Sequence, residues 1–168
     1  MGAVHGERPQ VWTDDHLAIT VRDRPAPQGS KRHVGRGILV EQSPHVKTWR
    51  EAVKAAALEA TRAEYPSAVA PATYLGPVLV EVTFTLARPK GHYGTGRNAA
   101  VVKASAPGWP TSTPDVDKLQ RATLDALTAA GVWKDDAQVV EITARKVYVS
   151  AGIDALDVPG AVIRVRPA

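Results

Sequence analysis

The feature of this sequence that most constrains its fold is a nine-residue run, Val78–Leu86, in which every residue except Glu81 is apolar or β-branched. Pro77 precedes the run, and its length suits a strand better than a helix. Runs of this kind are typical of strands that are buried within a sheet. We therefore predict a central β-strand here. The hydrophobic core of the protein must consist mainly of Val, Leu, Ile and Ala, because the chain has one Phe and only 5% aromatic residues.

Hydrophobic periodicity predicts further elements on both sides of this strand. Residues 45–65 place apolar residues three and four positions apart and are followed by Pro66, which predicts an amphipathic helix. A second helix is expected at about 117–130. Further strands are predicted at 17–21, 37–41, 138–149 and 161–165. The order strand, strand, helix, strand, helix, strand, strand predicts an α+β (mixed α/β) domain with one mixed β-sheet packed against helices.

Two stretches show neither the hydrophobic periodicity of a helix nor that of a strand. Residues 1–15 are polar and contain Gly, Pro and His, so we expect a loose leader before a single domain over residues 16–168. Residues 88–110 contain four glycines and show no period of either kind. A loop of this length in a compact domain is usually functional or disordered.

Composition excludes several function classes. The absence of cysteine rules out disulfides, thiolate zinc sites and cysteine nucleophiles. No apolar stretch approaches the roughly 18 residues of a membrane span, and residues 1–15 lack the apolar centre of a signal peptide. We therefore expect a cytoplasmic protein with no membrane partner. The net charge of +4 is compatible with a polyanionic partner but too small to establish one.

The acidic residues are concentrated in one part of the chain. Five aspartates fall within 22 positions: Asp115, Asp117, Asp125, Asp135 and Asp136. Asp117 followed by Gln120 resembles a capping box, and Gly131 suits the left-handed residue after a last helical turn. Residues two apart share a side of an extended chain but not of a helix. Asp115 and Asp117 can therefore share a ligand only if the chain stays extended up to the cap.

A second acidic pair, Asp135 and Asp136, follows a short turn after this helix. We expect the chain to return there to the helix start, so that the four acids meet. Two carboxylates about 4 Å apart repel by roughly 4 kcal/mol at an effective dielectric of about 20, and a bound cation removes that repulsion. Ligands that are all hard oxygens favour magnesium or manganese over zinc. The structural alternative is that Asp115 and Asp117 only cap the helix, while Asp135 and Asp136 form a solvated turn.

The segment from Thr113 to Lys146 resembles the signature of the RusA family of Holliday junction resolvases. The runs that carry the resemblance are PDVDKLQR at 114–121, LDAL at 124–127, GVW at 131–133 and DDAQV at 135–139. These enzymes are small dimeric endonucleases of phage and prophage origin. The resemblance implies a RusA-like fold over residues 16–168.

The resemblance also implies roles for particular residues. It assigns the chemistry to four of them, with Asp135 in support: Asp115, Asp117, Arg121 and Asp136. The chain departs from the family's usual pattern at two positions, because Lys118 stands where Asn is usual and Arg121 stands where Lys is usual. An Arg keeps the positive charge but not the compact ammonium group.

The implied activity is magnesium-dependent resolution of four-way DNA junctions by paired symmetric nicks, in recombination, repair or phage DNA processing. Metal held by Asp115, Asp117 and Asp136 would activate water and bind the scissile phosphate, while Arg121 or Lys118 would add positive charge. A four-way junction is nearly two-fold symmetric, so a homodimer is the economical solution.

Three alternatives remain open at this point. The chain could be a nuclease for other branched DNA, or a non-catalytic DNA-binding protein whose acids are structural. Arg121 could form a salt bridge to Asp117 or Asp125 instead of acting in catalysis.

Binding to DNA must depend on residues other than the acids, because carboxylates repel phosphates. Two basic loops are candidates, together with Lys118 beside the acids: Lys31, Arg32 and Arg36 in the first, and Arg88, Lys90 and Arg97 in the second. Their alternative is a pair of solvated surface loops. For the large rings at Trp109, Trp133 and Tyr148 we expect core packing rather than stacking on unpaired bases.

Overall fold

A computed structural model of the protein describes residues 16–29, 31–33, 39–41, 45–64 and 74–168. The leader predicted over residues 1–15 lies outside the described residues, and so does Arg36. For the two short strands at 31–33 and 39–41 only the backbone is described. Among the described residues, no helix combines the length and the apolar character that crossing a membrane requires.

The main sheet has four strands, and its middle contains the predicted central strand. The strands are β1 (Leu17–Val21), β4 (Val78–Leu86), β5 (Val139–Tyr148) and β6 (Gly160–Pro167), in the spatial order β1-β6-β4-β5. β4 runs parallel to β5 and antiparallel to β6, and β1 pairs antiparallel with β6. The expectation of a mixed sheet in an α+β domain is therefore confirmed.

The strand expected at 37–41 does not join this sheet. It is shorter, as β3 (Leu39–Glu41), and pairs antiparallel with β2 (Lys31–His33) in a separate two-stranded ribbon. We had expected a basic loop at β2. The physical reason is local, because only five residues separate the two strands, and strands joined by so short a connection pair with each other as a hairpin.

The helices α1 (Val46–Glu64) and α2 (Val116–Ala129) cover one face of the sheet. The rings of Trp49 on α1 and Phe84 on β4 lie 6.4 Å apart, and the Trp49 indole N–H donates to Thr123 Oγ1 on α2 at 3.2 Å. A salt bridge between Arg50 and Asp125 also joins the two helices. The buried cluster around them consists largely of Val, Ile, Leu and Ala, as composition predicted.

The connection from β4 to β5 decides where the acids lie. Parallel neighbours need a crossover, and here the crossover contains α2, which runs back along the sheet from the strand ends. Gly131 ends the helix with φ 76°, as its sequence position predicted. The beginning of α2 therefore lies at the carboxyl ends of β4 and β5, and the end of α2 leads into the beginning of β5.

Residues 88–110 form an ordered loop rather than a structureless one. It contains two single 3-10 turns, at Lys90–His92 and Gly96–Asn98, and a bridge between Tyr93 and Val102. Backbone hydrogen bonds from Gly94 N to Val101 O and from Lys103 N to His92 O close it on itself. The loop therefore presents its basic residues from a defined backbone.

Candidate catalytic site

The first two acids lie at the beginning of α2. Asp115 is the N-cap residue, with φ −70° and ψ 138°, so the chain is extended up to the helix. Asp117 was expected to be the cap and is instead in the first helical turn. The Asp115 side chain makes no capping hydrogen bond, although helix N-caps usually do so. Both residues are exposed, and the side chain at the N-cap position is not used for capping, so helix capping does not account for Asp115.

Lys118 holds the Asp115 carboxylate. Their Nζ and Oδ2 atoms are 2.9 Å apart. The hydrogen bond from Lys118, followed by its charge, lowers the pKa of Asp115 below its ordinary value, and the same contact raises the pKa of Lys118. Asp115 is thus an anion, and Lys118 a cation, at neutral pH. The residue that departs from the usual family Asn therefore acts directly on the first acid.

Lys146, near the end of β5, is a site residue that the sequence reasoning missed. Its Nζ donates to the backbone carbonyls of Ser112 and Pro114, each at 2.9 Å. Its charge also contributes to the lowered pKa of Asp115. Lys146 therefore fixes the segment that immediately precedes the acids. No sequence signal marks it, because only the parallel pairing of β4 and β5 brings it to the start of α2.

Arg121 lies one helical turn after Asp117, on the same face of α2, and is exposed. The salt bridges that we weighed for it are absent among the described residues, and Asp125 pairs with Arg50 instead. That interpretation of Arg121 is therefore wrong. Its guanidinium group remains available to an anionic substrate.

The two residues of the second acidic pair differ, because Asp135 has a structural role and Asp136 is exposed without one. The Asp135 carboxylate accepts from Ala137 N at 2.8 Å, and Gln138 Oε1 accepts in return from Asp135 N at 3.3 Å, which together form a capping box on a 3-10 turn at Asp136–Gln138. Asp136 is exposed, and its carboxylate has no hydrogen-bond or ion-pair partner within the described part of the chain. Asp135 therefore shapes the turn that presents Asp136.

The two acidic pairs do not meet within one chain. Asp115 precedes α2 and Asp136 follows it, and a 14-residue helix is about 20 Å long. Accordingly, no group of three acidic or histidine side chains in the described ranges lies close enough to hold a metal ion. We expected the chain to bring Asp136 back to the helix start. It is the far end of β5, with Lys146, that returns there.

The Asp115 and Asp117 pair still suits magnesium in part. Mg²⁺ prefers carboxylate oxygens, retains several waters, and is usually held by one or two carboxylates together with substrate phosphates. Both carboxylates are exposed at the helix start, and neither caps the backbone. One chain therefore offers two of the three expected ligands at one place.

The candidate DNA contacts differ in their surroundings. Lys90 and Arg97 are exposed in the 88–110 loop. Arg88 is already engaged, because it donates to Pro107 O at 2.8 Å and its guanidinium carbon lies 4.0 Å from the centroid of the Tyr148 ring. The side chains of Lys31 and Arg32 lie outside the described part of the structure.

The three large rings also differ. Trp133 and Tyr148 are buried, as expected for core residues. Trp109 is 64% exposed, so the expectation of core packing is wrong there. It follows Gly108 in the glycine-containing loop.

Comparison with known proteins gives one family. The family model described as Endodeoxyribonuclease RusA matches residues 23–154, which is most of the chain. Proteins named crossover junction endodeoxyribonuclease RusA, from Enterobacteria phage 82, Escherichia coli (strain K12) and Shigella sonnei (strain Ss046), are each 55% identical over 38 residues. Each of these matches spans 23% of this chain and 32% of the relative.

Proposed function

Because the chain belongs to the endodeoxyribonuclease RusA family, we propose that it is an endonuclease that resolves four-way DNA junctions by paired nicks. Its setting is the cytoplasm of a bacterial cell or of a phage-infected host. The single observation that supports this most directly is the exposed pair Asp115 and Asp117, which the helix start does not use for capping. Exposed carboxylates that are not used for capping are suited to bind a cation, and here Lys118 already holds one of them, Asp115, in its charged form.

The proposed metal is Mg²⁺, which Mn²⁺ could replace, held by Asp115, Asp117 and Asp136. When bound, it would lower the pKa of a water molecule and bind the scissile phosphate. The chain's own residues orient and balance this site. Lys118 fixes the Asp115 carboxylate, Asp135 shapes the turn that carries Asp136, and Arg121 adds positive charge where the phosphate gains negative charge.

The site is completed by a second copy of the chain in a homodimer. Within one chain, Asp136 lies about one length of α2 from the other two acids, so a three-carboxylate site requires two chains. The surface around Asp136 also suits an interface, because Leu75 is 91% exposed and Val140 is 61% exposed. Gln138, two residues from Asp136, joins this surface through hydrogen bonds to the carbonyls of Tyr74 and Gly76. Two such shared sites match the two strands to be cut.

The activity is tested with a labelled synthetic four-way junction, with Mg²⁺ and with EDTA. We expect symmetrically placed nicks with Mg²⁺ alone. Flaps and linear duplex serve as comparison substrates, since equal cleavage of a flap would favour a nuclease for branched DNA in general. A junction that is bound but never cut under any divalent metal would favour a non-catalytic DNA-binding protein.

The sharing of acids is tested by mixing two inactive variants. Asp117→Asn and Asp136→Asn should each abolish cleavage while junction binding remains, and Glu59→Gln, an exposed acid on α1, is the control that should stay active. When the two inactive variants are co-expressed, each mixed dimer has one site with both substitutions and one intact site. We expect single nicks from the mixed dimer. Mixed dimers that remain inactive would show that each site draws its acids from one chain.

A further inference from the structure

A cavity of about 610 Å³ opens beside the Asp115 segment. Thr113 and Pro114 form part of its wall, and the next residue is Asp115 itself. Its floor is formed by Leu86 and Tyr148, at the carboxyl ends of β4 and β5, and both are buried. The cavity is therefore continuous with the candidate catalytic site and stands on the rigid part of the sheet.

Ten of the fourteen described residues that line the cavity are apolar or aromatic, and none of the fourteen is acidic. Six of the residues around the cavity are prolines, which have no backbone N–H donor and present a flat apolar ring. Two basic side chains, Arg24 and His45, also belong to the described lining. The polar residues of this lining are Arg24, His45, Ser112 and Thr113, so a phosphate drawn fully into the cavity would lose most of its hydration against the apolar walls. A planar, largely apolar ring could instead enter with its faces against the apolar walls and keep its polar edge in water at the mouth of the cavity.

The wall from 24 to 27 is fixed to the same helix start that carries the acids. Gln28 N donates to Lys118 O at 3.1 Å, and the Gln28 side chain accepts from Arg50 at 2.7 Å. On the opposite wall, Lys146 holds Ser112 and Pro114. The shape of the cavity and the position of Asp115 are thus set by the same hydrogen bonds.

We propose that this cavity receives one unpaired nucleobase of the DNA strand whose phosphate lies at Asp115 and Asp117. The proposal rests on the proposed nuclease function, because it is the phosphate at the acids that brings a neighbouring base to the cavity mouth. Removing a base from a duplex costs stacking and pairing, and that cost is smallest where the base is already unpaired. The cavity would therefore favour DNA at a branch point over continuous duplex.

The test uses four-way junctions that carry 2-aminopurine, a fluorescent adenine analogue that brightens when it leaves the stack, at successive positions around the branch point. Binding is measured with Ca²⁺ in place of Mg²⁺, so that a cation can bridge the acids and the phosphate, and a denaturing gel checks that no strand is cut. We expect one position near the cut to brighten severalfold with the wild-type chain. No response at any position would overturn the proposal.

Ala87→Leu narrows the cavity, because Ala87 lines it and is exposed, so that the larger side chain takes part of the space without disturbing the core. The matched control is Ala55→Leu, on the exposed face of α1. We expect Ala87→Leu to abolish the fluorescence rise and to slow cleavage in Mg²⁺ about tenfold, while the control matches wild type. An Ala87→Leu variant that brightens the probe as much as wild type would refute the assignment.

The two proposals fail in distinguishable ways. A wild-type chain that brightens the probe but cuts no junction in any divalent metal would end the proposed function and leave base capture standing. A chain that cuts junctions equally with Ala87 and Leu at position 87, and brightens no probe, would end base capture and leave the nuclease standing.

Discussion

At the scale of single residues, the site depends on basic side chains that each hold one part of it. Lys118 holds a carboxylate, whereas Lys146 holds the carbonyls of the segment before it. A one-ångström displacement of a catalytic group can cost about a hundredfold in rate. Lys146 therefore has the contacts of a positioning residue rather than those of a catalytic one.

Replacing Lys146 tests this role. Lys146→Met should lower kcat for junction cleavage about ten- to hundredfold, since the Ser112 and Pro114 carbonyls lose their donor. KM should change less than kcat, because the DNA contacts proposed for Lys90, Arg97 and Lys118 do not involve Lys146. Steady-state kinetics measure both. Lys146→Arg, which keeps the donors, should recover most of the rate; an equal loss in both variants would argue against positioning.

Gly160 makes a different residue-scale prediction, about stability. A Cβ added there would lie 2.1 Å from the carbonyl oxygen of Val21, where β6 begins beside the end of β1. Gly160→Ala should therefore lower the free energy of unfolding by about 1–3 kcal/mol, as overpacking does. Urea unfolding measures the change. Gly76→Ala, where a Cβ meets nothing within 4 Å, is the matched control and should differ little from wild type.

At the scale of elements, the sequence predicted what periodicity controls. The observed α1, Val46–Glu64, differs from the expected range by one residue at each end, because apolar spacing and Pro66 both mark it. The central strand Val78–Leu86 was predicted in full. Pairing was beyond reach, since strand order and the β2–β3 ribbon depend on contacts between distant residues. The same limit explains why Lys146 was missed.

The candidate site shows the same division. The composition of the acidic pairs and the extended chain before α2 follow from local sequence. Their separation follows from chain direction, because a parallel strand begins at the opposite end from the helix start. We expected the turn after α2 to bring the chain back to the start of that helix. The chain reaches this end of the sheet only at the end of β5.

The turn between β5 and β6 gives a prediction about pH. Asp154 pairs with both guanidinium nitrogens of Arg164, at 2.6 and 2.7 Å, and this contact lowers the pKa of Asp154 below its ordinary 3.8. A lowered carboxyl pKa stabilises the fold above the unfolded pKa and loses that effect as pH falls through the folded value. Asp154→Asn suits the backbone, since Asn tolerates the observed φ of 61°.

We expect Asp154→Asn to be less stable than wild type by about 1–3 kcal/mol when unfolding is measured at about pH 5 to 7. The difference should shrink once the pH falls below about 4, where the unfolded carboxyl becomes protonated. Urea unfolding at several pH values measures it. A difference that stayed constant down to the acid limit would contradict the ion-pair explanation.

At the scale of the whole molecule, the proposed sharing of acids makes cleavage depend on protein concentration. Below the dimer dissociation constant, the initial rate of junction cleavage should rise with the square of the concentration. Two chains joined head to tail by a flexible Gly/Ser linker should instead show a linear dependence, because the second chain is always near. A linear dependence for the single chain at concentrations where sedimentation shows monomers would exclude shared sites.

The length of α2 has a consequence for the cell. Under the proposed sharing of acids, a newly synthesised chain would have its two acidic pairs separated by that length and would not cut DNA by itself. The cellular concentration of the protein, through its effect on dimer formation, would then decide when DNA is cleaved.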